Sequence, residues 1–579
     1  MTRSLLRPLP AAGVRPQLRR GAAELPKRSA MAAALLTLFF AAPASAQYEP
    51  PKQMTLSPLG VDLSGGRFSY KATDLSIGPF ALERSYLGGT AIGGSNYFGP
   101  NWTHNHSIYV VEKNLSKMDG VYVVLGRGVV HFTYSGGNYF CGNPDCDGAT
   151  LALVAGAFVY TDAQGNVYTF STTAKPLPSG YSLRNQRVAR IDYADGHTLD
   201  YAYSGQQLRQ IASNYGYSLV FEYSGSTNSI SKACGYNRAV TYVTAASTCA
   251  GAALAVSYAY GTTNVTNVVD VLGRNWGYDY SNGEMTCVRR VNSSACQIAN
   301  AYGTLGERGV TQQTTPDGAV WNYNIQPVDP DYVQNPGDPP PTSAGNYTGP
   351  EGINVWAEFS GGLLTLYNQN GRHTNLQWDG IELAKLTHPE GNNVTYAYRA
   401  GEKAYESWQG KPNSGMATIA RTSGFPDIST CPTSRKTCNK PIWRKDYKGN
   451  QTDYTYAAHG GVETETGPAV NGVRPQVRYE YALRRAWVSN GSGHSPEAVS
   501  IYQPSRKAFC ATGAASGGGC AIAGDEVVTT YDYGPDGGPN NLLLRSETVT
   551  AGGVGRRTCY GYDWMGNKVS TTRPSGLCQ

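Results

Sequence analysis

The stretch Asp270-Val271-Leu272-Gly273-Arg274-Asn275-Trp276-Gly277-Tyr278-Asp279-Tyr280 decides the fold class. Gly273 follows a short acidic turn and can take positive φ, which a tight hairpin requires. The residues after it alternate, with Tyr278 and Tyr280 on one side of an extended strand and Asp279 on the other. The same cassette recurs. Asp195-Gly196-His197 precedes Tyr201-Ala202-Tyr203, and Glu390-Gly391-Asn392 precedes Tyr396-Ala397-Tyr398. Asp446 to Asn450 precedes Tyr454-Thr455-Tyr456, and Tyr562-Asp563 runs into Gly566-Asn567. One hairpin is marginal alone, so a row of them predicts strands stacked into a continuous antiparallel sheet.

Composition agrees. The chain holds 41 Tyr against 13 Phe, where a sealed core would favour Phe, Leu and Ile. Tyr suits a sheet with a wet face, because its ring buries area while its hydroxyl reaches water or a carbonyl. With 69 Gly, 16% charged residues and no long helical periodicity, the expectation is an all-β protein.

The leader is a separate matter. Basic residues from Arg3 to Arg28 precede an apolar run from Met31 to Ala42, then Ala44-Ser45-Ala46 before Gln47. This predicts a secretory signal over residues 1–46, cleaved between Ala46 and Gln47. The apolar run is shorter than the ~20 residues of a bilayer span, so no stable span is expected after cleavage. Removing the leader's seven basic residues and Glu24 from 48 Lys+Arg and 42 Asp+Glu leaves 41 of each, a net of zero. The basic balance belongs to the leader and does not point to nucleic acid.

Twelve cysteines fall in six near pairs: Cys141 and Cys146, Cys234 and Cys249, Cys287 and Cys296, Cys431 and Cys438, Cys510 and Cys520, Cys559 and Cys578. In an exported chain this spacing predicts local disulfides that pin loops, although sequence does not fix connectivity. No pair is C-x-x-C and no His cluster lies near, so no metal site is expected.

The repeats resemble the YD repeats of RHS proteins. The match is best from Gly273-Arg274 through Tyr278-Asp279-Tyr280, and from Tyr562-Asp563 through Gly566-Asn567. Upstream, Gly60 to Tyr70, Asp74 to Gly78, Leu82 to Tyr86 and Phe98 to Trp102 resemble the domain that commonly precedes YD repeats. The resemblance implies a sheet that curls into a spiral or open half-shell and encloses or presents another polypeptide. The D-P-x-G-rich closing motif and toxin domain of full-length members have no counterpart, so their self-cleaving aspartates do not carry over. An open shell is therefore expected, with its last strand near Tyr560 to Trp564 as an edge.

The expected organisation is a β domain over 47–175, repeat blocks over 176–326 and 353–579, and a Pro-rich linker or loop over 327–352. Residues 401–445 and 486–526 read as polar insertions. No H-E-x-x-H, G-x-S-x-G or phosphate loop is present, so no catalytic residue or cofactor is expected. His104 and His106 share a strand face and read as surface polar residues rather than metal ligands. The leading reading is an exported, non-enzymatic, cell-surface, periplasmic or secreted protein. The alternative is a carbohydrate-binding or adhesion module using aromatic faces.

Overall fold

The computed structural model describes residues 56–89, 97–113, 120–126, 128–141, 148–174, 184–225, 228–252, 254–303, 309–328, 342–572 and 574. The predicted signal residues Ala46 and Gln47 lie outside them. The described residues fall in one compact unit, Glu49–Gln579.

Strands dominate, and among the described residues the only helical segments are the 3-10 turns Pro350–Gly352 and Ile428–Thr430. Ser69–Ile77, Phe80–Leu87 and Trp102–His104 make a three-stranded sheet. Ile108–Lys113 opens a second run, Arg184–Asp192 bonds back to it, and Thr198–Ser204 continues from Arg184–Asp192. From there to Lys568–Thr571 the ladder is antiparallel throughout, and almost every strand pairs with its sequence neighbours. The exceptions are two small side hairpins, Trp487–Ser489 with His494–Pro496 and Ala515–Ser516 with Gly519–Cys520. The ladder bypasses them by pairing Gln476–Arg484 with Ile501–Cys510, then Ile501–Cys510 with Glu526–Tyr533.

Three expectations need correction. Thr342–Thr348 is a strand within the range 327–352 expected as a Pro-rich linker or loop, paired directly to Val320–Gln326; the sheet is continuous across that range, as the repeat favours over two separate domains. Its alternation was hidden by small and polar residues. The supposed insertions contribute ladder strands, among them Glu402–Gln409, Ile419–Gly424 and Ile501–Cys510. Lys568–Thr571 pairs outside Val554–Tyr562, so the last described edge lies one strand beyond Tyr560 to Trp564.

The ladder coils back on itself. The Tyr502 amide donates to the Asp195 carbonyl at 3.0 Å, and the Ser489 amide to Arg238 at 2.8 Å. Asn439 Nδ2 donates to Ala163 at 2.8 Å, and Asn237 Nδ2 to Trp564 at 2.9 Å. Ala486, Val488, Ile501 and Leu542 form a small buried cluster here with Tyr215 packed on it. Strands bonded only to their neighbours meet strands hundreds of residues away, so the sheet is an open coil whose successive passes touch.

Candidate functional site

The turns are built as the sequence implies. Asp270 Oδ1 accepts the amides of Leu272 and Arg274 at 2.9 and 3.0 Å, and Gly273 takes φ +73°. Asp563 Oδ1 accepts those of Met565 and Asn567 at 2.9 and 2.8 Å, with Gly566 at φ +89°. Arg274 pairs with Asp270 at 2.8 Å. On the opposite face from Tyr278, Asp279 pairs with Arg289.

What sequence did not reveal is a bulge opposite the second aromatic of these cassettes, where the strand that follows carries one extra residue. The register slips between Ala202 and Tyr203, Glu222 and Tyr223, Asp279 and Tyr280, Ala397 and Tyr398, Thr455 and Tyr456, and Gly561 and Tyr562. A bulge bends its strand and increases local twist, so one per repeat gives the sheet its curl. In most repeats the second aromatic also clasps the repeat before it. Tyr223 Oη donates to the carbonyl of Leu208, the residue opposite Tyr203, at 2.8 Å. Tyr260 donates to Ile230, opposite Tyr223, at 2.7 Å. Tyr280 donates to Val265, opposite Tyr260, at 2.9 Å. Tyr481, Tyr533 and Tyr562 repeat the pattern onto Val462, Pro504 and Leu544. Trp378 does so through Nε1 to Leu364. The motif residues therefore occupy equivalent places in successive strands and do not converge on one centre.

The clasps fix which face carries the tyrosines, and that face has two environments. Along the first part of the ladder it is covered by the chain's own N-terminal segment. Arg84 and Asp74, both buried, form a bidentate pair at 2.6 and 2.9 Å. Tyr258 Oη donates to Asp74 at 2.6 Å, and the Arg84 guanidinium lies 4.7 Å from the Trp102 ring centre. Burial opposes the charge on Arg84, but Asp74 overrides it and holds the group well above its usual value. Tyr86 donates to the buried carboxylate of Glu284 at 3.1 Å. The cluster reaches along the ladder to Leu376. Arg84 and Asp74 lie in the stretches that carry the family resemblance, which is the signal that could have found them.

His104 and His106 are buried, not on a strand surface. His104 packs against Tyr97, Phe98 and Phe221, and His106 Nδ1 meets Tyr201 Oη at 3.2 Å. Burial, reinforced by His106, pushes His104 down to about 3. Burial pushes His106 down to about 4 against the Ala81 carbonyl and Glu83.

From Tyr396 onward the rings of the same face are less deeply buried. Tyr396, Tyr398, Tyr454, Tyr456, Tyr479, Tyr531 and Tyr562 are half-buried. The residues opposite the first tyrosines change with the environment. Ile211, Val268 and Val288 face Tyr201, Tyr258 and Tyr278 under the cover. Glu406, Glu465, Lys507 and Glu547 face Tyr396, Tyr454, Tyr479 and Tyr531 where it is more open. Cations lie over these rings, Lys403 at 4.5 Å from Tyr396 and Lys568 at 5.1 Å from Tyr560.

Four disulfides are described: Cys234–Cys249, Cys287–Cys296, Cys431–Cys438 and Cys510–Cys520, with Cα separations of 5.6, 5.4, 5.1 and 5.6 Å. Cys146 and Cys578, the expected partners of Cys141 and Cys559, lie outside the described residues. Among the described residues one group of three possible metal ligands occurs, Cys510, Cys520 and Asp525, and its two sulfurs are bonded to each other. No helix among the described residues is long and apolar enough to cross a membrane.

A scan of family models finds no match, and no curated protein matches the sequence. Solved structures similar to the chain include Tc toxin structures. A crystal structure of TcdB2-TccC3 without its hypervariable C-terminal region matches at 8% identity and TM-score 0.33, covering 84% of this chain and 26% of that one. A Photorhabdus luminescens Tc holotoxin pore matches at 9% identity and TM-score 0.31, covering 87% and 27%. The chain thus spans about a quarter of the length of these structures.

Proposed function

We propose that this chain is an exported, non-enzymatic structural protein whose coiled ladder encloses or presents another polypeptide. One observation carries the reading. The tyrosine face that the chain's own N-terminal segment covers along the first part of the ladder continues from Tyr396 through Tyr562 with half-buried rings and charged partners. Such a lining offers ring contacts and hydrogen bonds to a polypeptide without the dry apolar surface that would drive aggregation. The sequence resemblance to RHS proteins supports the same role, and the leader and local disulfides support export. The test is a fusion of the full chain to an unstructured reporter after Gln579. The reporter is expected to resist a protease that digests it rapidly when free. Digestion at the free rate, with the ladder intact, overturns the reading.

A further inference from the structure

One of the four described disulfides has a guanidinium laid against its sulfurs. Arg478 Nη1 reaches Cys510 Sγ and Nη2 reaches Cys520 Sγ, each at 4.0 Å. Among the described residues no Arg or Lys donor reaches the sulfurs of Cys234–Cys249, Cys287–Cys296 or Cys431–Cys438. The Arg478 side chain is only 11% exposed, and its Nε is buried without a partner. Disulfide sulfurs are weak, uncharged acceptors, so this fork of donors is poorly satisfied. A thiolate in the same place would accept charge-assisted bonds from it. The other charges nearby do not cancel this. Nη2 also donates to Glu526 at 2.6 Å, but Arg506 shares that carboxylate at 3.0 Å and is itself paired with Glu480. Asp525 lies within 4.8 Å of both sulfurs and opposes a negative charge there. Its oxygens are taken up by the Thr512 amide and hydroxyl and the Gly513 amide.

The bridge also sits where it can open without unthreading the sheet. Cys510 is buried at the end of the ladder strand Ile501–Cys510, which is paired on both sides, with Gln476–Arg484 and Glu526–Tyr533. Cys520 is half-buried and belongs to the side hairpin that the ladder bypasses. That hairpin has only two residue pairs, Ala515 with Cys520 and Ser516 with Gly519. The two sulfurs therefore differ: one is shielded and anchored, the other is accessible and on a small appendage.

We propose that Cys510–Cys520 is a thiol–disulfide exchange site whose substrate is a small thiol, while the other described bridges are staples. A thiolate attacks Cys520 Sγ and forms a mixed disulfide with it. The bond to Cys510 breaks, and Cys510 leaves as a thiolate against Arg478 Nη1. A second thiolate attacks the outer sulfur of the mixed disulfide. That step releases the oxidised thiol and leaves a Cys520 thiolate against Nη2. Two thiols become one disulfide, their two protons pass to solvent, and the protein bridge gains two electrons. A cation beside the leaving sulfur stabilises its thiolate, which speeds exchange and favours the reduced form. The site does not depend on the enclosure reading, since it needs only this corner of the ladder.

The experiment exposes the full, oxidised chain to reduced glutathione without denaturant. Samples are quenched with iodoacetamide, and each cysteine peptide is followed by mass spectrometry. Cys287–Cys296 is the internal control, because it too joins a buried cysteine to a half-buried one. Cys510 and Cys520 are expected to react at least about tenfold faster than that pair. Early samples should carry glutathione on Cys520 and the alkyl group on Cys510. Arg478→Gln is expected to slow the reaction by about tenfold. Arg372→Gln, on the distant strand Arg372–Asp379, should leave the rate unchanged. Asp525→Asn removes the opposing charge and should speed the reaction by about twofold or more, and it decides if Arg478→Gln fails to fold. Equal rates for the two bridges, glutathione on Cys510 instead of Cys520, or an unchanged rate in folded Arg478→Gln protein overturns the inference.

Discussion

Two buried polar features bear the most stress at the residue scale. Arg84 is fully enclosed by Asp74, Phe98, Trp102, Tyr258 and Tyr278, so its charge is tolerable only while Asp74 answers it. Asp74→Ala strands that charge and is expected to cost about 3–5 kcal/mol, read from the urea midpoint. Replacing both partners with apolar residues should cost much less, and an equal loss would argue against a buried pair. The histidines give a pH signature. His104 and His106 are held neutral in the fold, at about 3 and about 4, against an ordinary value of 6.5. The unfolded chain therefore binds more protons between pH 6.5 and 4. Their contribution is complete above pH 6.5 and is lost as pH falls, at up to about 1.4 kcal/mol per unit for each histidine. Thermal melts across this window should show the loss, and His104→Phe should flatten it. An unchanged slope in that variant would mean His104 is not buried neutral.

At the scale of the strand and turn, legibility differed by feature. The Asp–Gly turns around Gly273 and Gly566 were readable because one residue type solves a local backbone problem. The bulges opposite Tyr203, Tyr280 and Tyr562 were not, because register is a property of two strands and the sequence shows only one. Simple alternation put Tyr278 and Tyr280 on one face but could not show that the second ring clasps the previous repeat. Tyr223→Phe removes the hydrogen bond to Leu208 while keeping the ring, and is expected to lower stability by about 1 kcal/mol. Tyr242→Phe, at a ring 56% exposed, should have no effect. If both variants melt alike, the clasp adds nothing. The two turn glycines should also differ. An added methyl at Gly273 meets open space, so Gly273→Ala pays only the positive-φ cost of about 1–2 kcal/mol. At Gly566 the methyl would strike the Tyr217 hydroxyl across the passes of the coil, so Gly566→Ala should cost more. Equal losses in denaturant would place Tyr217 away from Gly566.

For the whole molecule, the all-β class and the antiparallel sheet were legible from repeated cassettes, and four of the six local cysteine pairs are described as bonded. The contacts between passes were not legible. They join single polar residues such as Asn237 and Asn439 to backbone carbonyls far along the chain, and no local pattern marks such a partner. Nor was the division of the tyrosine face, since Tyr278 and Tyr396 sit in similar cassettes and the residues opposite them, Val288 and Glu406, are identified only once the register is known. That division is the central claim, because the proposed enclosure of another polypeptide rests on a face covered in one part and more open in another. Hydroxyl-radical footprinting of the native protein, read tyrosine by tyrosine in a mass spectrometer, tests it most directly. Tyr201, Tyr258 and Tyr278, at 7%, 6% and 1% exposure, should resist oxidation, while Tyr396, Tyr454, Tyr479 and Tyr531 should be modified several-fold faster. Equal protection of the two sets would contradict the account.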